Sequence, residues 1–437
     1  MLNGIRCRAY PTAEQAKKLA QWIGCARVIY NAKVVEMQYF RTFSRKSLGV
    51  GKATIDQAYS QFKDDELTPY LSEVPSQILR NASVQFMNGW QRFTKGLAMP
   101  PRCKRRGERD SVHLTSELFK IVGDGLVEIG TKRFPVGTLR FKLHRDVTAP
   151  KSIVISRKAG RWYVSFNFED ANLPAPRPRE EILEELANLD EHQLQKLIWA
   201  GDRGVRDILH GSDGKVFNLD DAAVAKNKRR ELAKRRLQRR LARQQKGSRR
   251  RDKTKRRMAQ ISHQQAEVRR DFAHQTSRKL VNSDFKVFVF EDLKIANMTK
   301  RPKKKQDESS GQYLPNGAAA KAGLNRSILR SCWGNIVSFT HYKAERSEKV
   351  CVKVRPHFSS QTCSKCGHTS SENRSAKQFS CTSCGFQADA DFNASAVLCA
   401  RGIKHIKAGD WREKRQKKSV SFRKRGSECV PQNCVEG

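Results

Sequence analysis

Residues Cys363–Leu398, CSKCGHTSSENRSAKQFSCTSCGFQADADFNASAVL, set two Cys-x-x-Cys pairs directly before a run of carboxylates and an apolar helix. Cys363/Cys366 and Cys381/Cys384, followed by Gly367 and Gly385, have the spacing of two facing turns that close a tetrahedral four-thiolate site. Glycine after each pair lets the backbone curl so that amides point at the sulfurs. Zinc is the natural occupant, and four thiolates leave no open position for water, so its expected role is structural. Disulfides are disfavoured, because the spacing follows the zinc pattern and nothing marks the chain as secreted. Chemistry is then expected beside the metal, where Asp389-Ala390-Asp391-Phe392-Asn393 leads into a helix through Ala394, Ala396, Val397 and Leu398.

The 437 residues predict about three domains. Lys and Arg number 86 against 44 Asp and Glu, a formal net charge of +42, which points to a polyanionic partner, nucleic acid before membrane. No apolar run approaches the roughly 20 residues of a spanning helix, and MLNGIRCRAYPTAEQ has no apolar signal-peptide core. A reducing cytosolic compartment follows, with Cys7, Cys25, Cys103, Cys332, Cys351, Cys399, Cys429 and Cys434 as free thiols.

Leu2–Tyr10 reads as a short strand that stops at Pro11. Thr12 and Gln15 offer a cap to a helix whose apolar face is Leu19, Trp22, Ile23, Ala26, Ile29, Tyr30 and Val34. A second helical run holds Ile78, Ala82, Phe86, Trp90 and Phe93, whose aromatics are read as core. After a basic loop, PPRCKRRGERD from Pro100, alternating runs at 118–122, 126–129, 139–143, 152–156 and 161–168 predict a small antiparallel barrel or curved sheet. The last two runs form a hairpin through Lys158-Ala159-Gly160. Asn172–Arg179 is a proline-rich linker, and Glu180–Leu197 an acidic helical piece.

Leu197–Val205 reads as an apolar strand delivering Asp202, and Ser212–Phe217 as a second strand region turning at Asp213-Gly214. Ala222–Leu280 predicts two long helices broken near Gly247-Ser248. Between Lys226 and Arg257 roughly half the residues are Lys or Arg, too one-signed for a self-sufficient helix face, so Arg229, Arg235, Arg236, Arg239, Arg240 and Arg250 are candidates for phosphate contact. Phe285–Asp292 is a strand buried on both faces that ends in Glu291 and Asp292. Arg301–Lys321 has the composition of a mobile lid, Leu324–Tyr342 of a helix, and Val350–Val354 of a strand.

Three apolar elements therefore end in, or lead from, an acid: Asp202, Glu291 and Asp391. A fold of the ribonuclease H type brings such distant acids to one sheet edge. Three hard oxygen donors there can hold two Mg²⁺ ions roughly 4 Å apart, one activating water and one stabilising the leaving oxygen of a phosphodiester.

Residues 197–400 resemble the TnpB family of transposon-encoded RNA-guided nucleases, related to miniature type V CRISPR effectors. The resemblance rests on Asp202-Arg203-Gly204-Val205, Ser212-Asp213-Gly214-Lys215, Phe290-Glu291-Asp292-Leu293, Leu324-Asn325-Arg326-Ser327-Ile328, Tyr342-Lys343-Ala344-Glu345, Ser360-Gln361-Thr362-Cys363-Ser364-Lys365-Cys366-Gly367, Glu372-Asn373-Arg374 and Asp391-Phe392-Asn393, in the family's order. It implies a multidomain α/β protein with a helical recognition lobe, a β-barrel wedge domain and a RuvC-like (ribonuclease H type) nuclease domain with an inserted zinc ribbon. The implied boundaries are a wedge strand at 1–11, recognition lobe at 12–99, wedge barrel at 100–171, linker with acidic insertion at 172–196, nuclease at 197–358, zinc-ribbon insertion at 359–388, nuclease helix at 389–405 and a disordered basic tail at 406–437.

The resemblance also implies Asp202, Glu291 and Asp391 as the Mg²⁺-binding catalytic triad, ahead of Asp292 and Asp389. It makes Cys363, Cys366, Cys381 and Cys384 the zinc ligands, and gives Arg374 a role at the scissile phosphate. Its function would be RNA-guided cleavage of DNA in a prokaryotic, nucleoid-associated setting, with a guide RNA and double- and single-stranded DNA as partners and no membrane. The guide would read sequence while the protein reads the flanking motif. A binding-only, RNA-guided regulator is the alternative, disfavoured by the intact acids. A DNA-joining transposase lacks a tyrosine or serine recombinase constellation here. Two departures stand out: Ala200-Gly201 before the first acid, where the family has a β-branched residue, and the acidic piece after Glu180.

Overall fold

The computed structural model describes residues 2–47, 56–64, 66–108, 110–143, 150–169, 176–307 and 309–412. They fall into two compact units that part after residue 173.

The N-terminal unit begins with strand β1 (Leu2–Tyr10) and helices α1 (Ala13–Ser47) and α2 (Ser76–Thr94). The α1 cap forms reciprocally: Thr12 Oγ1 accepts from the Gln15 amide, and Gln15 Oε1 accepts from the Thr12 amide. Six strands follow: β2 (Asp110–Thr115), β3 (Phe119–Gly123), β4 (Leu126–Gly130), β5 (Pro135–Lys142), β6 (Ser152–Lys158) and β7 (Arg161–Glu169). All neighbours in the order β2-β6-β7-β1-β5-β4-β3 are antiparallel. Among the described residues no ladder joins β2 to β3, so the expected barrel is an open sheet wrapped on one core. The β6–β7 hairpin turns through Ala159 and Gly160, both at positive φ, as a two-residue turn matched to strand twist requires.

Two expectations change here. Strand β2 falls where the basic loop ends; Val112 and Leu114 alternate inward with Asp110, an acid at a core-facing position that hides the pattern. The boundary at 99/100 also crosses a single hydrophobic cluster, in which Leu19, Trp22, Ile29, Ile78 and Leu79 pack with Leu114, Leu139, Ile155 and Phe166.

In the second unit, helices α3 (Arg179–Asn188) and α4 (Glu191–Leu197) precede a five-stranded sheet. Its strands are β8 (Ile198–Asp202), β9 (Leu209–Gly211), β10 (Val216–Phe217), β11 (Val287–Glu291) and, closing the sheet after the intervening segments, Val350–Val354. Between them lie α5 (Asp221–Ala242), α6 (Arg249–Val281), α7 (Ile295–Met298), the small strands β12 (Lys305–Gln306) and β13 (Tyr313–Leu314), α8 (Ala318–Arg330) and α9 (Trp333–Arg346). Val350–Val354 is thus β14, and the order is β10-β9-β8-β11-β14, with β8, β11 and β14 parallel and β9 antiparallel to β8. Strands β15 (Arg374–Ser375), β16 (Gln378–Ser380) and β17 (Gln387–Asp389) form a separate antiparallel sheet before α10 (Ala390–Lys407).

The continuous apolar runs split by strand period. Trp199, Phe288, Phe290 and Cys351 face α6 and α9, meeting Leu280, Trp333, Ile336 and Val337. Ala200, Val287, Val289, Val350 and Val352 face the opposite side, meeting Ile182, Leu183, Leu186, Leu194, Leu398 and Ile406. The acidic piece is consequently no linker insertion: α3 and α4 bury their apolar faces as part of the second layer while their glutamates stay in water. α10 approaches β11 closely enough that a Cβ on Gly402 would stand 2.5 Å from Val289 Cγ2.

The helix expected over 324–342 breaks in two, with Cys332 at φ +47° between α8 and α9. The lid expected over 301–321 contains the β12–β13 hairpin, and its end from Ala318 is helical. In the expected disordered tail, residues 406–407 complete α10, and Trp411 packs on the second core; residues 413–437, with Cys429 and Cys434, lie outside the described residues. No described helix is long and apolar enough to cross a membrane.

Candidate active site

Parallel pairing of Gly201 with Phe290 puts Asp202 and Glu291 side by side as the next residues along β8 and β11. Large side chains set that register. Trp199, fully buried, covers Gly201 and Gly211: a Cβ on either would lie 2.5 Å from its ring and 2.7 Å from its Nε1, respectively. The indole donates to Asp213 Oδ1 at 2.9 Å, which fixes the turn of the next hairpin. Gly201, where a β-branched residue was expected, is therefore the space into which Trp199 packs rather than a loosening of the strand.

Asp391 comes from the first turn of α10, which packs across β8, β11 and β14. Burial, then the charges of Glu291 and Asp391, push the Asp202 carboxyl up to about 7. The pairing of β8 with β11 and the packing of α10 on both bring the three acids to one end of the sheet. Burial also raises Glu291, opposed by the Ser359 hydroxyl and by the charges of Arg203 and Arg401.

Cations and donors surround the acids. Arg374 Nη2 lies 3.2 Å from Asp391 Oδ1, so it meets a carboxylate of the cluster directly. Arg203 is buried and donates to the main-chain oxygen of Glu291, and its Nε has no partner among the described residues. Ser359 donates to Glu291 Oε1 at 2.9 Å. Sequence reading missed Ser359, because a serine two residues before the Gln361-Thr362-Cys363 segment carries no pattern of its own.

The acids adjacent in sequence have other surroundings. Asp389 caps α10, accepting from the amides of Asp391 and Phe392 at 2.9 and 3.2 Å. Asp292 is exposed, its amide bonded to Val354 O at 2.8 Å.

The four cysteines gather their sulfurs within 4.8 Å of one another, a cluster that could hold a metal ion. The Sγ pairs Cys363–Cys384 and Cys366–Cys381 stand 3.7 and 3.6 Å apart. Tetrahedral coordination with metal–sulfur distances of about 2.3 Å requires sulfurs about 3.8 Å apart, so the donors fit zinc. The Cys384 amide lies 3.5 Å from Cys381 Sγ, a contact that favours the thiolate a metal needs. The candidate phosphate-contact residues Arg229, Arg235, Arg236, Arg239 and Arg240 are exposed along α5, which has no buried residue, and Arg250 is exposed at the start of α6.

Family models match three parts of the chain: a probable transposase over residues 190–302, a Cas12f1-like TNB domain over 333–398 and a helix-turn-helix domain over 1–38. InsQ of Escherichia coli (strain K12), which carries the name RNA-guided DNA endonuclease, is 27% identical over 415 residues, 94% of each chain. These matches bear out the resemblance to the TnpB family. A second relative, a Streptomyces pristinaespiralis protein also named RNA-guided DNA endonuclease, is 27% identical over 414 residues, 93% of this chain and 91% of its own. The Cas12f1 chain of a cryo-EM complex with sgRNA and target DNA shares the fold, with a TM-score of 0.52, 12% identity, and coverage of 91% of this chain and 98% of that one. Within the 1–38 match, the described residues are one strand and part of α1, not two helices about a turn.

Proposed function

We propose that this protein is an RNA-guided DNA endonuclease that binds a guide RNA, recognises a short motif beside the target and cuts guide-matched DNA. The carrying observation is that Asp202 and Glu291 end adjacent parallel strands while α10, packed across both, brings in Asp391, giving three carboxylates of the kind that divalent cations take as ligands. Further support comes from the sheet order β10-β9-β8-β11-β14, which suits the RuvC-like reading, and from relatives named for this activity. Under this reading the N-terminal unit combines recognition lobe and wedge, and residues 359–388 are the zinc ribbon.

Asp202, Glu291 and Asp391 would hold two Mg²⁺ ions, which when bound supply Lewis acidity for activating water and stabilising the leaving oxygen of a phosphodiester. The chain's own residues supply the rest. Asp202 and Glu291 present oxygens from adjacent strand ends, so their spacing is set by the sheet. Asp391 is held by a capped helix turn. Arg374, free to exchange Asp391 for a phosphate oxygen, counters charge on the substrate. The exposed arginines of α5 and Arg250 hold nucleic-acid backbone. One zinc in the four-thiolate site keeps the ribbon folded.

The test is Mg²⁺-dependent cleavage of a plasmid library carrying a guide-matched target beside a randomised flank, by protein co-expressed with RNA from its own locus. Cleavage confined to one flank is the expected result. Guide-dependent binding without cleavage would replace this reading with the regulator.

A further inference from the structure

Residues 355–389 touch the chain beside every acid of the cluster. Arg374 meets Asp391, and Lys377 Nζ pairs with Asp207 Oδ2 at 2.9 Å in the segment that follows Asp202. Asn393, fully buried in the first turns of α10, accepts from the Ser364 amide at 3.0 Å and donates to Thr362 O at 2.8 Å, clasping the first Cys-x-x-Cys turn against the helix that carries Asp391. The contact at Glu291 is Ser359, which is 6% exposed.

A serine hydroxyl has one proton, and here two acceptors lie in reach: Glu291 Oε1 at 2.9 Å and Pro356 O at 3.1 Å. An ionised carboxylate is the stronger acceptor, so the proton goes to Glu291 and fixes the direction of its side chain. The serine is itself held by the turn that delivers the first thiolate. Gln361 and Thr362 donate their amides to Phe358 O at 3.1 and 3.0 Å, and Phe358 sits at φ +58°. Cys363 follows at once. A shift of the metal knot therefore moves Ser359 with it.

We propose that Ser359 is a positioning residue for Glu291, through which the four-cysteine module sets the divalent-ion affinity of the acid cluster; this rests on the nuclease reading above. The module then does more than hold its own metal, because its folding completes the geometry of the acids. Hydrogen-bonding partners of metal ligands typically govern affinity by about 10–100-fold.

The test uses full-length, zinc-loaded protein. Mn²⁺ binding is measured by calorimetry, and zinc per chain by metal analysis, for wild type, Ser359→Ala and Ser359→Thr, with Asp391→Ala as the reference for a damaged cluster. Ser359→Ala is expected to weaken Mn²⁺ binding about tenfold at unchanged zinc content, and Ser359→Thr, which restores the hydroxyl, to recover most of it. Wild-type affinity in Ser359→Ala would overturn the proposal alone, as would a parallel loss of zinc, which would mean that the serine merely holds the module together. Wild type binding Mn²⁺ no better than Asp391→Ala would overturn the nuclease reading and this proposal with it.

Discussion

Asp110 in the N-terminal unit and Asp202 in the second unit are both drawn inward from sheet strands, yet their surroundings are opposite. Asp110 is 4% exposed and answered by cations: Arg157 at 2.9 Å, Arg27 at 3.5 Å, and the Gly107 amide at 2.9 Å. Asp202, half-buried, has two further carboxylates near it whose effect outweighs the charge of Arg374, and the buried guanidinium of Arg203 donates to a main-chain oxygen. A buried acid with matched donors holds a fold together. A half-buried acid crowded by other acids is what divalent ions bind, and this difference separates an architectural carboxylate from a functional one.

The sharpest way to break the comparison is to remove an acid from the cluster. Asp391→Ala is expected to reduce guided DNA cleavage to background while leaving guide-dependent DNA binding intact, because the cut helix turn still has its Asp389 cap. Cleavage retained by Asp391→Ala would remove that residue from the proposed site.

The same contrast shows why parts of the site were legible in the sequence. Asp202 and Glu291 end apolar runs too continuous for a half-exposed strand, so their positions at buried strand ends followed from composition alone. The Cys-x-x-Cys pairs were equally legible, because metal spacing is local. What escaped depends on distant partners. Strand β2 was missed since Asp110 interrupts its alternation, and only the arginines from α1 and β6 make that position tolerable. Helices α3 and α4 looked like an insertion because their exposed glutamates outnumber the buried Ile182, Leu183 and Leu186. Gly201 looked like a defect until Trp199 lay across it, and Ser359 meant nothing without Glu291.

Removing the architectural acid should act on stability instead of chemistry. Asp110→Ala strips two cations and the Gly107 amide of their acceptor, and is expected to cost about 2 kcal/mol, read as a lowered urea midpoint of the metal-loaded protein. An unchanged midpoint would show that water replaces the carboxylate there.

Asp202 should behave in the reverse sense. Its folded pKa of about 7 lies above the ordinary 3.8, so the folded chain holds its proton more tightly than the unfolded one. Metal-free stability should then fall as pH rises from about 4 through about 7, and level off above. Asp202→Asn lacks that penalty. Melting curves of the metal-free proteins should coincide at low pH and diverge by a few degrees at pH 8, with the variant the more stable. Parallel curves across the range would mean that Asp202 is better solvated than its neighbours imply.

The smallest effect is expected where charge is neither buried nor crowded with acids. Arg236, Arg239 and Arg240 stand exposed on α5 and, among the described residues, have no acidic partner, so neither fold nor cluster depends on any one of them. If they meet phosphate, replacing one by alanine should leave melting unchanged and weaken RNA binding only a few-fold. The diagnostic is the salt dependence: each lost contact should lower the slope of log affinity against log salt by about one unit. Asp110→Ala should leave that slope unaltered. A slope unchanged in Arg239→Ala would make the basic face of α5 a solvated surface, and the phosphate contacts would have to be sought elsewhere on the chain.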